Sequence, residues 1–189
     1  MNQIEQKHFD AAGAISEIIA NRLGTGRAVH SETAIASAAR MAGTMMLRSF
    51  GFDMSTMPSG SVMLSEQANE EGPALLNIVI MMMQQYGLQP DQQKLADSEN
   101  KGNEPQLSVL EAQELLEDDL NVVLSQHNLT LVDGAVACAL TTAWLIKECA
   151  PAIGLEVGFH IAAFGFIEGS KTVPRKKQEA QQVMDVNRP

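Results

Sequence analysis

The sequence predicts a single all-α domain, built as a bundle of about six helices. Alanine and methionine, both good helix formers, are prominent: there are 11 methionines, whereas aromatic residues make up 4% of the chain. Apolar residues recur every third or fourth position in several segments, and glycine or proline residues separate these segments. A chain of 189 residues that is 45% hydrophobic is typical of one globular core.

The first helix is predicted to begin at a cap-like pair, Asn2 and Glu5, and to end at Gly24 and Gly26. One face of this segment is charged and the other is apolar, as in an amphipathic helix of about five turns. The apolar positions are Ile4, Ala11, Ala12, Ile15, Ile19 and Leu23. This helix is therefore expected on the outside of the bundle.

Alanine repeats every fourth residue in the second predicted helix, which begins at Ser31 and ends near Gly51. The repeated positions are Ala34, Ala38 and Ala42. Such a ridge lets a neighbouring backbone come close. The fifth predicted helix carries a similar ridge, Ala135, Ala139 and Ala143. We expect the two ridges to form the tightest contact in the core, and their likeness leaves an internal duplication open.

A third helix is predicted to begin at Gly72-Pro73 and to end at Gly87. Before it, residues 61–69 have the composition of a short helix. The third helix is apolar on all sides apart from Asn77, so we expect it to be surrounded by protein and to form part of the centre. A buried Asn77 amide would need hydrogen-bond partners, which makes this residue a candidate for ligand binding.

The fourth helix is predicted to follow an exposed polar linker, residues 88–106, and to start at a capping box of Ser108 and Glu111. One face of this helix is apolar and the other is strongly acidic. The candidate residues for binding a basic partner protein are Glu111, Glu114, Glu117 and Asp118. The alternative is that this face is simply solvated.

Residues 131–168 predict a buried helical hairpin at the centre of the domain, since they contain the only tryptophan and both cysteines. Thr130 with Asp133 predicts the cap of the fifth helix, and Gly154 separates it from the sixth. Gly169 is expected to end the sixth helix.

The cysteine positions and the N-terminal residues favour a cytoplasmic protein. Cys138 and Cys149 lie on one predicted helix, about 16 Å apart, so they cannot form a disulfide with each other. The first residues lack the pattern of a signal peptide. The longest charge-free apolar run, 134–146, has 13 residues, whereas a bilayer span needs about 20, so no membrane segment is predicted.

The chain has a net charge of −10, and residues 1–170, which are predicted to form the domain, carry 8 basic and 21 acidic residues, a charge of −13. Residues 171–189 carry five basic and two acidic residues and predict a basic tail, at the surface or disordered. An acidic body would repel phosphates, so nucleic acid is not expected as a partner. A basic partner protein is compatible with this charge.

Few residues of the sequence suggest chemistry. It contains no G-x-S-x-G, C-x-x-C or H-E-x-x-H motif. Glu5 and His8 form one E-x-x-H, half of the pattern used in di-iron bundles, without a second copy. Glu156 and His160 share one face of the sixth helix and are candidate ligand-binding residues, although His160 is also compatible with a hydrogen-bonded core histidine. No catalytic residue, cofactor or metal site is predicted.

These observations favour a non-enzymatic interaction protein of a regulatory, adaptor or immunity-like kind. Its methionines, including residues 81–83, would suit an adaptable apolar groove. The abundance of apolar helix faces also predicts a homodimer. The alternative is a small-molecule-binding or metal-dependent bundle that uses Glu156 and His160. An enclosed pocket at His160 would favour this alternative, and an open apolar surface would favour the interaction protein.

Overall fold

The computed structural model describes residues 3–24, 28–91 and 104–176, which form six α-helices and no strand. The helices are α1 Gln6–Leu23, α2 Ser31–Ser49, α3 Glu66–Gln85, α4 Val109–Gln126, α5 Leu131–Ile153 and α6 Leu155–Lys171. The predicted all-α bundle is thus confirmed. Most of the predicted linker, residues 92–103, and Asn2 lie outside the described ranges. The predicted start of the first helix at Asn2 and Glu5 is wrong, because Glu5 is itself the N-cap of α1.

The second helix, α2, is the centre of the bundle. All its residues from Glu32 to Leu47 are buried, so other elements cover every side of it. The two helices of the predicted hairpin, α5 and α6, each pack more extensively against α2 than against each other. Helices α1 and α3 lie on α5, and α4 packs against α1 and α2.

The closest backbone approach in the core lies between α2 and α6 and depends on glycine. A Cβ atom added to Gly43 would stand 2.5 Å from the carbonyl oxygen of Phe166. A Cβ atom added to Gly169 would stand 2.9 Å from the carbonyl carbon of Arg40. The alanine ridges of α2 and α5 are buried, but the expectation that they make the tightest contact is wrong. Glycine lets two backbones come closer than an alanine methyl group allows.

Both predicted capping boxes are confirmed. In α4, the Ser108 hydroxyl accepts a hydrogen bond from the Glu111 amide, and the Glu111 carboxylate accepts one from the Ser108 amide. Thr130 and Asp133 make the same reciprocal pair at the start of α5. These caps satisfy amide groups that the first helical turn leaves without intrahelical partners.

The third helix begins earlier than predicted, at Glu66, with Ser65 as its N-cap, and Pro73 lies inside it. Proline clashes with the Cβ atom of a preceding helical residue. Gly72 has no Cβ atom, which explains why the helix can continue through Pro73. The predicted separate helix of residues 61–69 is therefore wrong, because its second half belongs to α3.

The expectation that α3 is surrounded by protein is also wrong. Asn77 is exposed, and so are Ile80 and Met81. Only one face of α3 packs into the core, through residues such as Leu75 and Val79. The apolar composition of this segment does not distinguish a central helix from a peripheral helix whose outer face is partly apolar.

The chain remains packed beyond α6, as far as the described residues extend. Gly169 does not end α6, which continues to Lys171. Thr172 forms an isolated antiparallel bridge with Val62, and Val173 is buried. Arg175 makes an ion pair with Glu114 of α4, with 3.1 Å between Nη1 and Oε1. The beginning of the predicted tail is thus part of the folded body, whereas residues 177–189 lie outside the described ranges.

Among the described residues, α5 is the one helix whose length and apolar character would allow it to cross a membrane. In its most apolar stretch, 56% of the residues are buried inside the bundle. The core helix of a soluble protein can have the same length and apolar composition. The sequence-based expectation of no membrane segment stays a prediction.

Candidate functional site

The predicted ligand pair, Glu156 and His160, lies half-buried near the start of α6. The Glu156 carboxylate accepts a 2.9 Å hydrogen bond from the amide of Asp91. The His160 ring packs against Phe164, with 4.8 Å between ring centroids and 46° between planes. Glu156 therefore contacts the chain that follows α3, whereas His160 packs on a residue one turn further along its own helix. Two apolar clefts, one bounded by α1, α3 and α5 and the other by α3 and α6, are lined by other residues, and Asn77 does not line them either.

The acidic face of α4 is partly used within the fold. Glu117 accepts a 3.1 Å hydrogen bond from Arg48 of α2, and Glu114 pairs with Arg175. Glu111 belongs to the helix cap, and the hydrogen bonds from Ser108 lower the pKa of its carboxyl group. Asp118, the fourth predicted partner-binding residue, is exposed, and it makes no ion pair within the described ranges. This use of the acidic residues weakens α4 as a binding surface.

A buried arginine joins α2 to α6. Arg40 is 6% exposed, and its Nε atom donates a 2.7 Å hydrogen bond to the carboxylate of Glu168. Its Nη1 atom also donates to the carbonyl of Leu107, just before α4. A buried guanidinium group needs such partners because its desolvation would otherwise be unfavourable. We assign this cluster a structural role, which is to stabilise the packing of α2 against α6 and the start of α4.

The E-x-x-H residues of the N terminus also have a structural role. The amide of Glu5 donates a 2.9 Å hydrogen bond to Nδ1 of His8, so Nδ1 acts as an acceptor. The proton must therefore be on Nε2, which lies 3.0 Å from the carboxylate of Asp133 and donates to it. Burial raises the pKa of Asp133, but hydrogen bonds from His8 and Thr130 outweigh it and lower the value to about 2. This pair joins α1 to α5.

The only tryptophan and the only tyrosine of the chain line one open groove, which is bounded by α1, α3 and α5. We call it the aromatic groove, and its volume is about 390 Å³. Its lining residues are Phe9, Ala12, Gly13, Ser16, Glu17, Met82, Tyr86, Leu140, Thr141 and Trp144. Trp144 is 40% exposed, and Phe9 is exposed to the same extent. The groove therefore presents three kinds of aromatic side chain at the surface.

Helix α1 determines the length of the aromatic groove. Its lining residues run from Phe9 to Glu17, which corresponds to about 12 Å along the helix axis. At Gly13, in the middle of this wall, an added Cβ atom would have no neighbour within 4 Å. The absence of a side chain at Gly13 therefore widens the groove.

The polar groups of the aromatic groove are mostly satisfied. The hydroxyl groups of Ser16 and Thr141 both donate to the carbonyl of Ala12, at 2.8 Å and 3.1 Å. Burial raises the pKa of Tyr86, against the opposing charge of Lys147, so the phenol stays protonated at neutral pH. The ammonium group of Lys147 lies 5.2 Å from the centroid of the Tyr86 ring. Glu17 is the one charged side chain in the lining.

The aromatic groove was not predicted from the sequence, because Trp144 was expected inside a buried hairpin. One local signal was present: Phe9 stands among polar residues, away from the apolar positions of the first helix. A large apolar residue on the polar face of an amphipathic helix indicates a contact other than the core. Tyr86 and Trp144 gave no comparable local signal.

A second, smaller cleft of about 230 Å³ lies between α3 and α6. Its lining is mostly apolar and includes Leu76, Ala163 and Ile167. Phe164, which is exposed, follows the lining residue Ala163 in α6. This region is a second apolar surface of the described bundle that a partner could cover.

Within residues 3–24, 28–91 and 104–176, no group of three or more His, Cys, Asp or Glu side chains is arranged to hold a metal ion. The aromatic groove is the candidate functional site of the described bundle. Comparisons of the chain with protein-family models, curated proteins and solved structures find no match.

Proposed function

We propose that this protein is a non-enzymatic helical interaction protein that binds a segment of a partner protein in the aromatic groove. The observation that carries the proposal is the position of Trp144, Tyr86 and Phe9 around one open groove. Tryptophan and tyrosine are enriched at the energetically important positions of protein interfaces. In a chain with so few aromatic residues, placing them at the surface forgoes much of the stabilisation that burial would give.

The dimensions of the groove support a helical partner segment. Residues 9, 12, 13, 16 and 17 of α1 line it, so the wall covers two helical turns. Grooves of this kind bind amphipathic helices through anchors spaced by one or two turns. The open form of the groove supports a macromolecular partner, whereas a small-molecule site usually encloses most of its ligand.

The alternative, a small-molecule or metal-dependent protein that uses Glu156 and His160, receives less support. Glu156 accepts a backbone hydrogen bond, and His160 packs on Phe164. The described clefts do not include these residues. Binding of a metal or small molecule that is lost in His160→Ala at unchanged stability would favour this alternative.

Gly13 allows a direct test of the groove. Gly13→Leu should fill the groove without disturbing the core, because the position faces open space. Gly13→Ala is the matched control, since a single methyl group leaves most of the groove open. A partner captured from a lysate of the source organism should bind the wild type and Gly13→Ala but not Gly13→Leu. Binding of the purified partner should also change the fluorescence of Trp144, the sole tryptophan. Equal capture by all three proteins would contradict the proposal.

Self-association is part of the same proposal. The exposed side chains of Phe164 and Ile167 on α6, beside the cleft between α3 and α6, support it. If the chain forms a homodimer through this surface, Ile167→Glu should convert it to a monomer in sedimentation velocity. A wild-type protein that sediments as a monomer at tens of micromolar would contradict self-association.

A further inference from the structure

The charge at the edge of the aromatic groove indicates what kind of segment it binds. Glu17 is exposed, and in the described part of the chain it has no ion-pair partner. The carboxylate of Asp119, by contrast, is paired: it lies 2.7 Å from Nε of Arg22, further along α1. Glu17 is therefore the carboxylate of the groove that remains available to a cation from outside.

The aromatic side chains of the groove are also suited to a cation. The ammonium group of Lys147 already lies over the Tyr86 ring. In the resolved ranges, the rings of Phe9 and Trp144 have no such cation. An indole ring has the face that attracts cations most strongly, and it also provides a large apolar contact. A long basic side chain, whose stem is apolar and whose head is charged, complements both properties.

The spacing along α1 places these contacts two turns apart. Phe9 and Glu17 are separated by about 12 Å along the helix axis. A helix lying in the groove would reach both ends with residues seven or eight positions apart. One of these residues would be apolar and the other basic.

We propose that the aromatic groove binds a basic amphipathic helix of a partner protein. Its apolar side chains lie against Phe9 and Trp144, and a lysine or arginine pairs with Glu17. The inference rests on the proposed function and specifies the partner. The net charge of −10 attracts a basic partner at long range, whereas Glu17 provides a local contact that fixes its orientation.

The test uses three synthetic helices that differ only in charge. The first is an amphipathic peptide of leucine and lysine, about 18 residues or 27 Å long. In the second and third, glutamine or glutamate replaces every lysine. Binding is followed by titration with Trp144 fluorescence as the signal. The buffer contains about 0.15 M salt, which screens interactions between exposed charges beyond roughly 8 Å. We expect the lysine peptide to bind most tightly and the glutamate peptide most weakly.

Substitutions at Glu17 test the local contact. Glu17→Gln should weaken binding of the lysine peptide by roughly fivefold, the upper end of what an exposed ion pair contributes. Asp118→Asn changes the net charge equally at an exposed site on α4, and should change the affinity by less than about twofold. Glu17→Lys should shift the preference toward the glutamate peptide. Circular dichroism of each variant checks that it remains folded.

The outcomes separate this inference from the proposed function. Suppose that Gly13→Leu blocks all three peptides while Glu17→Gln has no effect, or no more than Asp118→Asn. The groove would then remain a binding site, and the proposal of a basic partner helix would be overturned. If Gly13→Leu leaves the affinity of every peptide unchanged, the groove is not the binding site, and the proposed function fails as well.

Discussion

Gly169 of α6 lies directly against the backbone of Arg40 in α2. A Cβ atom at Gly169 would overlap the carbonyl group of Arg40, and the preceding residue, Glu168, pairs with the Arg40 side chain. Two consecutive residues of α6 thus contact one residue of α2, through backbone and side chain. This contact holds the two helices at a distance that no larger residue would permit.

Gly169→Ala should lower the free energy of unfolding by about 1 to 3 kcal/mol, the usual range for overpacking a core. The higher helix propensity of alanine, worth about 1 kcal/mol, would offset only part of this loss. Gly13→Ala is the control, because its added methyl group meets nothing within 4 Å, and it should be neutral or stabilising. Urea denaturation, monitored by circular dichroism, measures the free energy of unfolding of both variants. Equal stabilisation by the two substitutions would contradict the tight contact.

Glu168→Gln should destabilise the protein by about 1 to 2 kcal/mol, because the buried guanidinium group of Arg40 would lose its charged acceptor. We expect less than for a fully buried pair, since the Glu168 side chain is 42% exposed. The matched control is Glu148→Gln, which removes the exposed pair with Lys147 and should cost less than about 0.5 kcal/mol. The shift of the urea midpoint compares the two variants. Similar shifts would show that the pair of Arg40 with Glu168 contributes no more to stability than the exposed pair of Lys147 with Glu148.

The hydrogen bonds of Asp133 should make stability depend on pH in acid. Its pKa is about 2 in the folded protein, against an ordinary value of 3.8. A lowered pKa contributes stability that is complete above about pH 4 and is lost as the pH falls toward 2. At pH 6, Asp133→Asn should be less stable than the wild type by about 1 to 3 kcal/mol.

Urea denaturation of the wild type and Asp133→Asn between pH 6 and pH 2 measures this effect. The difference between the two proteins should shrink across the acid range. Asp118→Asn, at an exposed position of α4, should stay within about 0.5 kcal/mol of the wild type at pH 6. A difference for Asp133→Asn that is constant down to pH 2 would show that the carboxylate form is not what stabilises the fold.

The two cysteines should differ in reactivity. Burial raises the pKa of Cys138 to about 12, and its sulfur lies 4.0 Å from that of Met45 inside the core. Cys149 is half-buried near the end of α5. An aromatic disulfide reagent at pH 8 should therefore titrate one thiol in the native protein and two in denaturant. Mass spectrometry of the labelled peptides should assign the fast thiol to Cys149, and rapid labelling of Cys138 would contradict its burial.

The sequence by itself determined the helices and many of their ends. Helix periodicity and capping involve residues three or four positions apart, so they can be recognised without knowledge of the fold. The pairs Ser108 with Glu111 and Thr130 with Asp133 are examples. The break at Gly154 is another: its φ of 89° lies in a region that glycine adopts readily.

The tertiary structure decided which face of each helix is covered. Asn77 and Trp144 belong to apolar segments but are exposed, because no other helix within the described ranges fully covers those sides of α3 and α5. Gly169 has the appearance of a helix stop, yet it lies within α6 because α2 occupies the space where a side chain would be. The aromatic groove brings together α1, α3 and α5, which are far apart in the chain. Such a site depends on how the helices pack, and local periodicity does not specify that packing.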